Sequence, residues 1–379
     1  MLSKRIQYKF ERKVLVNPTS VNINDRESIA KLDASNMLGS IEALGKQLGH
    51  AWEETRDIVI SPKKPITKVV LAGMGGSGLG ADVIKHLFLE SLTLPFDYIH
   101  GYTLPGYVDD ETLIILSSYS GNTEEVLECA KQAQQKNATI VCITAGGELA
   151  DLAEKNHWPI YKIDPKFNPS GQPRMAMGYS VVGILGLCER AGIISLTESE
   201  LAETTALITQ LCQDYTVEVG QETNPAKLLA FSMFTKQLVL IAPDFLEGAI
   251  HVATNQSNEN GKTFTSYFVV PEMNHHLLEA LRFPAHLHDS HFVVFFQSHL
   301  ANPNNQLRTT LSQQVFEDHD IETMKITLEG NTKLAQIFEL ITLMSFATFY
   351  QCLLEEVNPS PIPVVESFKE LLKKERATR

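Results

Sequence analysis

The chain has 379 residues, 44% of them apolar and 20% charged, with 45 acidic residues against 32 basic ones and a net charge of -13. That length and composition fit two packed globular cores rather than a low-complexity or fibrous chain, and the acidic field argues against nucleic acid or anionic membrane as a partner. Cys129, Cys142, Cys188, Cys212 and Cys352 are scattered without a CxxC pair, which argues against a disulfide framework or zinc knuckle and fits a reducing cytoplasm.

Residues 1–24 read as a polar arm, because "MLSKRIQYKFERKVLV" is charged throughout and lacks the apolar core and cleavage site of a secretory signal. From Asp25 to Ile60, apolar residues at three- and four-residue steps with no proline until Pro62 predict a helix. Then "ITKVVLAGMGGSGLGADVIKHLFLE" gives a β-branched run, glycines and a helical period, which is strand, tight loop and helix. The unit recurs in "ETLIILSSYSGNTEEVLECAKQAQQ" and "ATIVCITAGGELADLAEKN", and a short strand "WPIYKI" follows. Strands alternating with helices imply right-handed crossovers and a parallel sheet covered on both faces.

The stretch 165–180, rich in Pro, Gly and Ser, reads as an ordered connector entering a helix. That helix, "YSVVGILGLCERAGII", reads as the most apolar helical stretch, and Glu189 and Arg190 break it short of the roughly 20 residues a bilayer needs. The chain is therefore expected to be soluble. After residue 215 the runs "QLVLIAP", "TSYFVVP", "HFVVFFQS" and "TMKITLEG" predict four more strands. The expected fold class is α/β, with two domains over 25–190 and 191–379. Each is a doubly wound, mainly parallel sheet flanked by helices in a three-layer sandwich.

Ligands of open α/β sheets sit beyond the carboxyl ends of strands, where loops meet helix N-termini. "GMGGSGLG" and "SYSGNTEE" both fall at such places. Ser118, Ser120 and Thr123 offer uncharged donors for phosphate oxygens beside the helix amides, and Gly121 lets the backbone turn around them. Ser120 to Thr123 could equally cap a helix, with Glu124 and Glu125 favouring its positive end. No Gly-Lys-Ser/Thr follows the glycines, which excludes a P-loop, and no acidic residue ends the second strand, which argues against a dinucleotide fold.

Further on, "NQSNENGK" brings Glu259 and Lys262, and "PEMNHHLLE" brings His275 and His276 after a predicted strand. Together they offer a general base and a second proton-transfer group. Neither HxxxH nor HExxH occurs, so no metal is expected, and a GxSxG elbow is absent.

In combination, "GMGGSG" (73–78), "SYSGNTEE" (118–125), "PSGQPR" (169–174), "NENGK" (258–262), "PEMNHH" (271–276) and "NPSPIPVVESFK" (358–369) resemble the bifunctional phosphoglucose/phosphomannose isomerases, which are built from two sugar isomerase (SIS) domains. The resemblance covers most of the chain after about residue 30. It implies an aldose-ketose isomerase that interconverts glucose 6-phosphate and fructose 6-phosphate, and mannose 6-phosphate as well, through a cis-enediol. Neither cofactor nor metal takes part.

Position by position, it implies that Gly76 and Ser77 lie in the glycine loop facing the sugar and that Ser118, Ser120 and Thr123 bind the phosphate. Arg174 would stabilise the enediolate and Glu259 would carry the proton between carbons 2 and 1. His275 would open the ring from the neighbouring subunit, with Lys369 assisting at the ring oxygen, so that a cytoplasmic homodimer shares its active sites. A carboxylate in Glu259's role is expected against a dry wall that favours its protonated form. Ser360 stands where the pattern has threonine, a region that bears on mannose 6-phosphate.

The leading alternative is a non-catalytic SIS-domain sensor of sugar phosphates, which would normally carry a basic helix-turn-helix that this acidic chain lacks. An isomerase of amino-sugar phosphates would come with a glutamine-hydrolysing domain, and a pseudoenzyme would not be expected to keep Arg174, Glu259, His275 and Lys369 together.

Overall fold

The computed structural model describes residues 6–7 and 21–378. The first sheet contains β2 (Lys68–Gly73), β3 (Phe96–Ile99), β4 (Thr112–Ser117), β5 (Thr139–Thr144) and β6 (Ile160–Lys162). All five strands are parallel, in the order β3-β2-β4-β5-β6. The second sheet contains β7 (Gln237–Pro243), β8 (Thr265–Val270), β9 (His291–Ser298) and β10 (Glu322–Leu328), parallel to one another in the order β8-β7-β9-β10. The two halves thus repeat one winding. In the second, the fifth position is taken by β1 (Ile6–Gln7), antiparallel to β10. The polar arm expected over 1–24 otherwise lies almost wholly outside the described residues.

The helices are α1 (Arg26–Ala30), α2 (Met37–Glu42), α3 (Leu44–Thr55), α4 (Gly76–Leu87), α5 (Glu124–Gln135), α6 (Gly147–Asn156), α7 (Met177–Arg190), α8 (Glu198–Asp214), α9 (Pro225–Met233), α10 (Glu247–Glu259), α11 (Leu287–Ser290), α12 (Pro303–Asp318), α13 (Lys333–Leu354) and α14 (Pro363–Ala377). Strand side chains sort by parity. Leu113, Ile115, Leu238 and Leu240 join one large core with α3, α4, α7, α10 and α13. Their neighbours Ile114 and Leu116 face α5 and α6, while Val239 and Ile241 face the side of α12. Strands buried on both faces need no polar alternation, which is why they read as continuous apolar runs.

Two expectations are corrected. The single helix over 25–60 is three helices, because local caps compete with the helical ladder. Asp33 accepts from Met37 N and Leu38 N at 2.8 and 2.9 Å, and Asn36, at φ +56°, accepts from Gly39 N. The helix beginning near Tyr179 is also not the most apolar. By length and composition α13 is long enough to cross a membrane, with a mean hydropathy of 1.6, but its apolar stretch is entirely buried in the fold.

All five cysteines are buried and unpaired. Burial pushes the thiols of Cys142, Cys188, Cys212 and Cys352 up to about 12 and that of Cys129 up to about 11.

Candidate active site

The strand order reverses between β2 and β4, which pair with Gly73 opposite Ser117, so the loops that leave them meet at the switch point. They are joined directly: Tyr119 N donates to Ser77 Oγ at 2.9 Å. In the second loop Gly121 N donates to Ser118 Oγ at 3.1 Å, and the Ser118 and Thr123 hydroxyls are 2.8 Å apart. Thr123 is the N-cap residue of α5, but its hydroxyl caps no amide there. The simple capping role is therefore not the one these hydroxyls play. The first-turn amides of α5 lie beside the uncharged hydroxyls of Ser120 and Thr123, with the buried Ser118 beneath them, which suits an anion.

The loop after β5 braces this cradle, with Ala145 N donating to Tyr119 O, Leu149 N to Gly121 O and Glu148 N to Asn122 Oδ1. Gly121 sits at φ +71°, and a Cβ there would lie 1.8 Å from Gly146 O. Gly121→Ala is expected to destabilise the chain by about 3 kcal/mol, because it combines backbone strain with a clash that neither loop can relieve alone. Chemical denaturation measures this, and an unchanged midpoint would show that the two loops are not locked together.

Arg174 enters from the connector, in the short helix Pro173–Met175 that packs against Gly76. It is 3% exposed, and every face of its guanidinium is used. Nε donates to Asn260 Oδ1 at 2.5 Å and Nη1 to Gln172 Oε1 at 2.8 Å, while Nη2 donates to the carbonyls of Pro359 and Ser360 at 3.2 and 2.6 Å. Nη1 also lies 3.4 Å from Glu259 Oε2. Burial lowers the Arg174 pKa from its ordinary value, and Glu259 opposes that shift.

The last turn of α10 offers Gln256, Glu259 and Asn260 on one face, spaced i, i+3, i+4. Lys262 staples the same corner by donating to the carbonyls of Glu259 and Pro361, both at 2.6 Å, and of Pro359 at 3.2 Å. Burial lowers its pKa too. Beside these carbonyls the Ser360 hydroxyl is buried and finds no partner among the described residues.

Glu259 and Arg174 therefore meet next to the glycine loop, as the resemblance implies. The dry wall expected around Glu259 is not present within one chain, since the side chain is 31% exposed. Nor do the other two candidates reach it. His275 is exposed beyond the carboxyl end of β8, whereas Glu259 closes α10 near the start of that strand. The six residues of β8 separate the two ends of the sheet by about 20 Å.

Lys369 lies on α14, where no residue is buried, and makes no hydrogen bond or ion pair among the described residues. The α14 helix touches the cradle through Arg376, which pairs with Glu124. Residue reading missed Gln172, Gln256, Asn260 and the part Lys262 plays. The one signal was the unbroken polar run Asn255–Asn260 at the end of α10, and nothing in the sequence marked Gln172.

Away from this site, His50, Glu54 and Asp164 place possible metal-ligating atoms within 4.8 Å of one another. The two Glu54 oxygens there already accept from Tyr161 Oη and Asp164 N.

Comparison with known proteins agrees with the fold. The family model of the bacterial phospho-glucose isomerase C-terminal SIS domain matches residues 222–372, and that of the SIS domain matches residues 64–171. The chain is 31% identical over 342 residues to a bifunctional phosphoglucose/phosphomannose isomerase of Caldicellulosiruptor bescii, covering 89% of this chain and 98% of the relative. It is 26% identical over 327 residues to a protein of the same description from Aquifex aeolicus, covering 85% and 94%. A hypothetical protein of Thermus thermophilus shares the fold at a TM-score of 0.71 and 19% identity, covering 94% of each chain.

Proposed function

The chain belongs to the family of bifunctional phosphoglucose/phosphomannose isomerases, and from that premise we propose that it interconverts glucose 6-phosphate and fructose 6-phosphate, with mannose 6-phosphate as a further substrate. The observation that carries this reading is the Glu259–Arg174 pair, 3.4 Å apart, set beside a cradle built for an anion.

The phosphate is held by Ser118, Ser120, Thr123 and the first amides of α5, with Gly76 and Ser77 along the sugar. Glu259 takes the proton from carbon 2 of the open aldose, leaving a cis-enediol, and returns it at carbon 1 to give the ketose. The fixed guanidinium of Arg174 stabilises the negative oxygen as it forms.

His275 and Lys369 serve ring opening. Since His275 lies at the far edge of its own sheet from Glu259, a second copy of the chain supplies it, and the active enzyme is a homodimer. The exposed Val364, Val365, Phe368, Leu371 and Leu372 of α14 support such a contact. The buried, unpaired thiols support a cytoplasmic setting.

A coupled assay of the purified chain with each hexose 6-phosphate, repeated after chelation, tests the reading. Turnover of glucose 6-phosphate that survives chelation is expected. Binding without turnover would favour a sugar-phosphate sensor instead.

A further inference from the structure

Helices α4 and α10 run antiparallel, and their backbones touch. A Cβ on Gly248 would lie 2.4 Å from Val83 N. Glycine is the residue that allows this approach. The arrangement places the start of α4, with Gly76 and Ser77, beside the end of α10, with Glu259. Beyond the contact the two helices share a network of titratable groups, centred on the buried Asp82, that touches no reacting atom. Asp82 and His86, one turn apart on α4, face Glu247 and His251, one turn apart on α10.

Asp82 is fully buried, and its Oδ2 accepts from His251 Nδ1 at 2.7 Å. His86 Nδ1 lies 3.0 Å from Oδ1 and donates to the Asp82 carbonyl at 2.9 Å, while His86 Nε2 is 3.2 Å from Glu247 Oε2. Tyr98 of β3 meets the Asp82 carboxylate, and the Tyr267 ring of β8 packs on His251 at 5.3 Å. Burial opposes the charge on His86, but its hydrogen bonds to Asp82 and Glu247 outweigh it and push the imidazole up to about 10. Burial likewise opposes the Asp82 charge, yet the two histidines hold its carboxyl well below the usual range. Asp82 and His86 are thus charged and paired at neutral pH.

We propose that the Asp82–His251 bond is a positioning clamp for the reaction: by fixing α4 on α10 around the Gly248 contact, it sets the gap between the Ser77 loop and the Glu259 carboxylate. Asp82 is six residues from Gly76 and His251 eight from Glu259, about 9 and 12 Å along their helices, so neither touches substrate. A slip at the clamp moves the base against the sugar while leaving the phosphate cradle, which belongs to the first sheet, untouched. A misplacement of about 1 Å is enough to slow a positioned proton transfer strongly.

The clamp rests on the reading of Glu259 as the base, so Glu259→Gln is measured alongside. In the full chain, His251→Leu is expected to lower kcat for fructose 6-phosphate at least tenfold with KM unchanged within about twofold, and His251→Asn, whose amide nitrogen takes the place of Nδ1 and keeps an N–H donor to Asp82, is expected to recover most of the loss. If His251→Leu does not fold, His251→Ala, which removes the donor, takes its place with the same expectation.

A fall in melting temperature with kcat per folded enzyme unchanged, or no recovery in His251→Asn, would overturn the clamp and reduce the network to a structural one. Should Glu259→Gln keep full activity, the base assignment fails first and the clamp with it.

Discussion

Glu259→Gln is expected to lower kcat about 1,000-fold while KM for fructose 6-phosphate stays within about threefold, because a positioned general base contributes two to four orders of magnitude. The amide keeps the shape of the carboxylate and can still face Arg174 Nη1, so the corner formed by Gln256, Asn260 and Lys262 should hold. What is lost is the group that takes the proton. On the proposed reading the hydroxyls and amides of the first sheet bind the phosphate away from this carboxylate, so affinity should hardly move. Exchange of the carbon-2 hydrogen with solvent deuterium should vanish together with turnover.

The same variant tests the sharing of sites. Mixed and refolded with an inactive His275→Ala chain, it should regain activity of up to about one quarter of wild type, since about half the dimers are mixed and each of these carries one intact pair of groups out of two. Activity that stays lost in the mixture while each parent dimer forms normally would place both groups in one chain's site.

Arg174→Lys should be almost as damaging as Arg174→Met, each lowering kcat/KM by about 100-fold or more, the range seen when one donor to a developing oxyanion is removed. A lysine carries the charge but not the fork. Four acceptors surround this guanidinium at fixed angles: Asn260 Oδ1, Gln172 Oε1 and the carbonyls of Pro359 and Ser360. One ammonium cannot serve all of them from the position of three nitrogens. Orphaned buried acceptors also cost stability, about 1–3 kcal/mol each, so a lower melting temperature should accompany the kinetic loss. Kinetics with lysine close to wild type would mean that a point charge is all the reaction needs from this residue.

The strands were easy to read where both of their faces are covered. The runs "QLVLIAP" and "HFVVFFQS" coincide with β7 and β9 because every position except the exposed Gln237 and the half-buried His291 and Gln297 is packed by one helix layer or another. Strand β3, "FDYI", gave no such run, since Asp97 interrupts it and only Phe96 is fully buried. The break of the first helix was written in "KLDASNM" as two capping side chains, but helical periodicity spoke more loudly than the caps.

The anion cradle was legible because hydroxyls and a glycine between a strand and a helix have few other uses. Arg174 and Glu259 lie 85 positions apart in the chain, so no spacing rule links them, and their pairing came through resemblance. Gln172 and Asn260 matter only because a guanidinium is buried between them, a fact of three dimensions. His275 and Lys369 lie on surfaces that a single chain leaves open.

The sequestered sulfhydryls have a practical consequence. With every native thiol both occluded and hard to ionise, maleimides and similar reagents find no ready nucleophile on the folded protein. A single cysteine introduced at an exposed position away from α14, such as Val59→Cys, would then carry a fluorophore alone, with no need for a cysteine-free background.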